Sequence, residues 1–328
     1  MTRLFVLGSG FSVRAGAPLS RSILGSLFSQ EMYAPHVRAL KSYIDRFLFP
    51  GRPDWVNETD FEEVLSRLDL IRHYQPYSNI DYDQVSYYED LLIGEFTKLL
   101  NPKHLSPGHG SYTTFKNQLK PQDTIISFNY DLVVESLLTS VNKDYNYELG
   151  CQVGTSEAQA IPLLKLHGSI NLYYCPNCGK VFFFSPLVTR HPLTQGNYAA
   201  YTPGVMDNLL ICRQCSAKDK KAALRHFIIA PTLFKSFALP ALRRLWFTAL
   251  QALAGASRIY IIGYSLPKAD ILSHQLFDFA RRMSAHNQDV HIINGPKAVP
   301  ERFLHIYGNG LKNEGVYFEH WIEQLVDC

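Results

Sequence analysis

Four of the six cysteines fall into two pairs, Cys175-Pro176-Asn177-Cys178 and Cys212-Arg213-Gln214-Cys215, with 33 residues between the pairs. Each Cys-x-x-Cys turn presents two sulfurs, and two such turns complete a tetrahedral zinc site. A site closed by four thiolates leaves no position for water, so the expected role of Cys175, Cys178, Cys212 and Cys215 is structural, a redox dithiol being the alternative. Cys151 and Cys328 lack such spacing. A different chemistry is on offer in Leu166-His167-Gly168-Ser169. An imidazole titrates near neutral pH, so His167 suits proton transfer, although a lone histidine at a strand end is often only structural. In Ser127-Phe128-Asn129-Tyr130-Asp131 a carboxamide and a carboxylate stand two apart. Capping a helix needs one of them, whereas recognising a carboxamide or a ribose uses both Asn129 and Asp131.

Three further turns carry small or polar residues. Gly8-Ser9-Gly10-Phe11-Ser12 directly follows the apolar Leu4-Phe5-Val6-Leu7, where glycines allow a tight turn and close approach to a pyrophosphate. The third glycine of the usual dinucleotide fingerprint is absent, because Val13 stands there. Gly263-Tyr264-Ser265 follows Arg258–Ile262, and Asn294 follows Val290–Ile293. A Gly-x-Ser turn suits a phosphate or ribose, and an asparagine suits a ribose hydroxyl.

The elements that must position these groups are short apolar runs at Leu4–Leu7, Thr124–Phe128, Leu163–Leu166, Phe227–Ile229, Arg258–Ile262 and Val290–Ile293. Helical periodicity between most of them predicts an α/β fold, with a parallel sheet whose carboxyl edge presents the polar turns. Two stretches break the alternation. Residues 31–119 read as an inserted helical module, with Thr59 and Glu62 as a capping box before Phe61, Val64, Leu65 and Leu68. Residues 170–226 hold both cysteine pairs and read as a zinc-binding module.

Composition bounds the function. With 46% hydrophobic residues in 328, the chain can bury a large core, which excludes disorder. The 32 basic residues exceed the 29 acidic ones by only three, so no global field draws it to nucleic acid or membrane. The basic run Lys218, Lys220, Lys221 and Arg225 reads as a solvated face. The apolar runs fall far short of the ~20 residues that span a bilayer, and Leu4–Leu7 is too short for a signal peptide. The expected location is the cytoplasm, with reduced thiols.

Taken in order, Gly8-Ser9-Gly10-Phe11-Ser12, Asn129-Tyr130-Asp131, Leu166-His167-Gly168, the two cysteine pairs, Gly263-Tyr264-Ser265 and Ile293-Asn294 resemble the sirtuin family, in its divergent bacterial form. The resemblance implies a Rossmann-like NAD-binding domain (1–30, 120–169 and 227–328), the inserted helical module (31–119) and a zinc-ribbon module (170–226). It implies NAD contacts from Gly8, Gly10, Ser12, Asn129, Asp131, Gly263, Ser265 and Asn294, and catalysis by His167 with Asn129. Arg21 is a looser match. The family's Pro-Asp-Phe-Arg is here Pro18-Leu19-Ser20-Arg21, its Gln-Asn-Ile-Asp is Phe128-Asn129-Tyr130-Asp131, and its peptide-pairing Phe-Gly-Glu is replaced by Phe227-Ile228-Ile229-Ala230-Pro231-Thr232.

An NAD site without a peptide clamp resembles the NAD-cleaving effectors of antiphage defence. The expected activity is therefore NAD+ glycohydrolysis, giving ADP-ribose and nicotinamide, with NAD as substrate and zinc as structural metal. NAD-dependent protein deacylation or ADP-ribosyl transfer is the enzymatic alternative, and a non-catalytic NAD or ADP-ribose sensor is the binding-module alternative. The partners expected besides NAD+ are a second copy of the chain or a regulatory protein.

Overall fold

The computed structural model describes residues 2–29, 34–73, 82–100, 110–150, 152–154, 157–183, 211–216, 223–229, 239–268, 270–296 and 298–325. Eleven strands are present among them: β1 (Arg3–Leu7), β2 (Thr124–Ser127), β3 (Tyr145–Asn146), β4 (Gln152–Val153), β5 (Ile161–Lys165), β6 (Gly168–Tyr174), β7 (Val181–Phe183), β8 (Arg225–Ile228), β9 (Arg258–Ile262), β10 (Asp289–Ile293) and β11 (Leu311–Asn313). Eight of them form one sheet in the order β11-β10-β9-β1-β2-β5-β3-β4. Seven of these run parallel, and β4 closes the edge antiparallel to β3.

The central strands lack polar alternation because both their faces are covered. Leu4, Phe5, Val6 and Leu7 are all buried, as are Ile259 to Ile262 on β9. After β1 the sheet grows on one side through β2 and β5, then returns to the other side with β9 and β10. The order therefore reverses at β1, and the crevice at the carboxyl ends of β1 and its neighbours is where open α/β sheets take ligands.

Phe227–Ile229, read with the alternating strands of the parallel sheet, lies elsewhere. Phe227 and Ile228 belong to β8, which pairs antiparallel with β6 in a three-stranded sheet of order β7-β6-β8. Single-strand hydrophobicity does not report which sheet a strand joins.

Two large hydrophobic clusters hold the chain. The first surrounds the parallel sheet. Within it Phe11 packs against Tyr112, Phe115 and Phe318 at 5.3, 5.3 and 4.9 Å between ring centroids, so the turn after β1 is anchored to helices Gly110–Gln118 and Phe318–Leu325. The second draws on helices Ser20–Phe28, Pro35–Phe47, Phe61–His73 and Tyr82–Leu99, together with Tyr130, Leu132 and Ile170 from the first body's loops and β6. The cap of helix Phe61–His73 differs from the expected capping box. Asp60 Oδ1 accepts from Glu63 N at 2.8 Å, while the Thr59 hydroxyl is buried without a partner among the described residues. A carboxylate one residue later reaches the third amide of the helix, leaving the threonine outside the first turn. No helix among the described residues is long and apolar enough to cross a membrane.

Candidate active site at the carboxyl edge of the parallel sheet

The two glycine turns meet backbone to backbone. Gly8 N donates to Ile262 O and Gly10 N to Gly263 O, each at 3.0 Å. A Cβ on Gly10 would lie 2.7 Å from Gly263 Cα, and one on Gly8 would lie 2.5 Å from Gly263 O. Gly263 has φ +64 and would place its own Cβ 2.3 Å from Phe11 N. These glycines are therefore required by each other, and the Gly8 and Gly10 amides are spent inside the protein rather than offered to a ligand. Ser265 stands exposed on the second turn. Leu266 follows it, fully buried yet at φ +52, a left-handed backbone that is strained for a bulky side chain. Its carbonyl accepts from Arg302 Nη1, which holds the turn in place.

Asn129 and Asp131 divide the work between them. Asn129, at the end of β2, donates Nδ2 to Gly8 O at 2.8 Å and to Ser12 Oγ at 3.0 Å, tying β2 to the first turn. Asp131 stands one residue before the N-cap Leu132 of helix Val133–Thr139 and accepts the first helical amide, Val133 N, at 2.9 Å. Asn294, at the end of β10, donates Nδ2 to Tyr264 O at 2.9 Å, while its Oδ1 is buried with no partner among the described residues. A buried amide oxygen without a donor is costly, and a ligand hydroxyl would satisfy it.

His167 sits in the tight turn from β5 into β6, where Gly168 has φ +81 and its backbone approaches Phe227 O too closely for any Cβ. The buried imidazole lies edge-on to Phe128, 5.1 Å between centroids, and its Nε2 is 2.9 Å from Asp270 Oδ2. Phe128 in turn stacks on Tyr264 at 4.1 Å. The ends of β1, β2, β5, β9 and β10 are thus joined by direct contacts, bringing Gly8, Gly10, Ser12, Asn129, His167, Gly263 and Asn294 to one edge.

Sequence reasoning missed Asp270 and a buried ion pair. Asp270 precedes helix Ile271–Met283 and accepts Ser273 N at 3.3 Å, so its sequence signal is that of a helix cap. Its contact with His167 is visible only once β5 and β9 are placed. Behind the edge, Lys165 and Glu135 pair at 3.2 Å with side chains 1% exposed, and Lys165 Nζ also donates to the carbonyl of Asp131. Tyr147 OH donates to Glu135 Oε1 at 3.1 Å. Burial raises the Glu135 carboxyl above its ordinary range, with Lys165 opposing the shift.

The cysteines assemble apart from this edge. Cys175 follows β6, and Cys175 N donates to Lys180 O at 3.0 Å around a left-handed Gly179, forming a knuckle. The four sulfurs lie within 4.8 Å of one another, with Cys175 to Cys215 at 3.7 Å and Cys178 to Cys212 at 3.8 Å. A tetrahedron with Zn–S bonds of ~2.3 Å has sulfur–sulfur edges of about 3.8 Å, so the cluster fits zinc. Phe182 and Leu224 pack against it. The Arg21 side chain, Cys151, Cys328, Lys218, Lys220, Lys221, and 230–232 of the run beginning at Phe227 lie outside the described residues.

No family model matches the chain, and no curated protein matches its sequence. Solved structures do match. A multiply substituted Sir2 homologue in complex with 2'-O-acetyl ADP ribose aligns with a TM-score of 0.50 at 14% identity, over 99% of this chain and 90% of that one. A Sir2 homologue in complex with NAD aligns at 16% identity with a TM-score of 0.47, over 99% and 88% of the two chains. At this identity the likeness is one of fold. With its seven parallel strands, flanking helices and four-cysteine cluster, the chain has a divergent sirtuin-like fold.

Proposed function

We propose that this protein is an NAD+ glycohydrolase that cleaves the bond between nicotinamide and ribose. The observation that carries the reading is the convergence of five strand ends at the switch point, with a buried histidine and an Asn294 Oδ1 that has no partner among the described residues. The Sir2 homologue that aligns with a TM-score of 0.50 is in complex with 2'-O-acetyl ADP ribose, which supports reading the crevice as a place for an ADP-ribosyl group. Ser265 would face the phosphates, Ser12, fully buried behind the first turn, would hold Asn129 in place, and Asn294 Oδ1 would accept from an adenosine ribose hydroxyl. Gly8, Gly10 and Gly263 would serve by letting the backbone approach closely. Asp131 would hold the loop beside the nicotinamide ribose.

In the reaction the C–N bond to nicotinamide breaks and nicotinamide leaves as a neutral molecule. Water adds to the anomeric carbon and gives up a proton, so NAD+ and water yield ADP-ribose, nicotinamide and one proton. Because the leaving group is neutral, positioning the ribose and stabilising an oxocarbenium-like state supply most of the acceleration. Asn129 would orient the ribose and water through Oδ1, and His167 would accept the proton. Structural zinc would sit on Cys175, Cys178, Cys212 and Cys215 and hold the small sheet. Cleavage of NAD+ without an acyl-lysine co-substrate suits a cytoplasmic effector of antiphage defence, held silent until a second copy or a regulatory partner releases it.

The test is incubation of the purified protein with NAD+, and separately with NAD+ plus an acetyl-lysine peptide, following nicotinamide and peptide mass together. Equal nicotinamide and ADP-ribose release without peptide is expected, at raised protein concentration if the resting state is silent. Release only with peptide, accompanied by loss of the acetyl group, would replace the reading with deacylation.

A further inference from the structure

We infer that Tyr317 is the stacking platform for the adenine of the bound nucleotide, held beside the ribose that Asn294 would read. This rests on the reading of the crevice as a place for an ADP-ribosyl group. Tyr317 lies between β11 and helix Phe318–Leu325 and is 50% exposed. Scattered exposed aromatic residues are ordinary, so exposure alone assigns nothing. The position of the ring does.

The ring lies face-on against Gly295, the residue that follows Asn294. A Cβ on Gly295 would stand 2.4 Å from Tyr317 Cε1 and 2.7 and 2.8 Å from Cζ and Cδ1. Such similar distances to three successive ring atoms put that point above the ring plane, because a point off the edge at Cε1 would be much farther from its two neighbours. Gly295 has φ +77, so bare backbone covers one face of the ring, and the opposite face is left to solvent. Both sides of this contact are held. Gly295 N donates to Val316 O at 2.9 Å and Glu314 N to Ile292 O at 3.0 Å, which ties the loop to the end of β10. His320 N and Trp321 N donate to Tyr317 O, each at 3.1 Å, so the residue opens the helix. Phe318 packs on Phe11 at 4.9 Å and Trp321 on Tyr260 at 5.0 Å, anchoring that helix to the first turn and to β9. A ring fixed in this way loses little freedom when a flat ligand settles on it.

One residue away from Gly295, Asn294 Oδ1 is buried and has no partner among the described residues, while Nδ2 is spent on Tyr264 O. An amide oxygen only accepts, so the partner it lacks is a donor such as a ribose hydroxyl. In a nucleoside the base is bonded to the ribose carbon next to the one that bears the 2'-hydroxyl. A hydroxyl donating to Asn294 therefore brings the base within reach of Gly295, and the flat surface there is Tyr317. Stacking needs only a π-face, so the platform fits purines as a class and does not read their edges.

The experiment titrates the purified full chain with ADP-ribose, and with nicotinamide mononucleotide, which lacks adenine, by calorimetry and proton NMR. Tyr317→Ala should weaken ADP-ribose binding ~10-fold or more, the scale of one lost base–aromatic stack, and change nicotinamide mononucleotide binding less than about threefold. Tyr317→Trp should bind ADP-ribose within about threefold of wild type. In wild type the adenine protons should move upfield on binding, under the ring current of a stacked aromatic, and in Tyr317→Ala that shift should shrink. A purely structural tyrosine would lower the affinity for both ligands together and leave the adenine shift in place.

Unshifted adenine protons in a wild type that binds ADP-ribose, or equal ADP-ribose affinity in wild type and Tyr317→Ala, would overturn the inference. Should Tyr317→Ala fail to fold, Tyr317→Leu, which keeps bulk against Gly295 without a π-face, takes its place. A wild type that binds neither ligand would reject the ADP-ribosyl reading of the crevice and the inference with it. A wild type that stacks ADP-ribose but never cleaves NAD+ would reject the glycohydrolase reading and leave Tyr317 in its role.

Discussion

The carboxamide of Asn129 illustrates how one side chain serves two ends. Its Nδ2 is committed to Gly8 O and Ser12 Oγ, so the residue proposed to orient the ribose also joins β2 to the first turn. Asn129→Ala is therefore expected to cost stability as well as turnover. Leaving buried acceptors unpaired costs about 1–3 kcal/mol, visible as a lower melting temperature, and turnover should fall ~10²-fold beyond what unfolding explains. A variant as stable as wild type would mean that the Nδ2 contacts contribute nothing. At this scale the sequence was informative about residue type and uninformative about partners. The spacing of Asn129 and Asp131 left open which one caps a helix, and in the structure neither is the N-cap, which is Leu132, although Asp131 accepts the first helical amide. Asp270 read as a helix cap, and its place beside His167 depends on bringing the ends of two strands together.

Among the elements, the paired glycine turns make a prediction opposite in sign to ordinary helix glycines. Gly10 must admit Gly263 at a distance no Cβ tolerates, so Gly10→Ala should destabilise the protein by about 1–3 kcal/mol. Gly25, exposed in helix Ser20–Phe28 with nothing within 4 Å of a built Cβ, should gain about 0.5–1 kcal/mol from the same change. Chemical denaturation of both variants checks the pair. The zinc knuckles predict about one zinc per chain by metal analysis, and Cys178→Ser should lower both metal content and melting temperature. On β8, the His226 ring packs tilted against Tyr173 at 4.5 Å between centroids, its Nδ1 is buried without a partner among the described residues, and burial pushes its pKa down to about 4. Its folded value lies below the unfolded ~6.5, so the stability it contributes is present above pH ~6.5 and is lost as pH falls toward 4. Allowing for partial exposure of the residue, the loss by pH 5 is on the order of 1 kcal/mol. His226→Phe should flatten the fall in melting temperature between pH 7 and 5, and an unchanged slope would remove His226 as its source.

For the whole molecule, the parallel sheet was legible because strands covered on both faces read as continuous apolar runs, as in Leu4–Leu7 and Ile259–Ile262. The shorter strands were not. The two-residue strands Tyr145–Asn146 and Gln152–Val153 carry too little pattern, and β6 alternates no more clearly than a loop although all but one of its seven residues are buried. The cysteine tetrad was legible because metal spacing is local, whereas the meeting of two glycine turns from opposite ends of the chain is not. All these parts converge on one claim, that the sheet's carboxyl edge cleaves NAD+ with His167 as base. The most direct measurement is nicotinamide release from NAD+ by wild type and His167→Ala, with NAD affinity and melting temperature taken on the same preparations. The account predicts a well-folded variant that binds NAD within a few-fold of wild type and releases nicotinamide ~10²-fold or more slowly. A well-folded His167→Ala protein with wild-type release would contradict it.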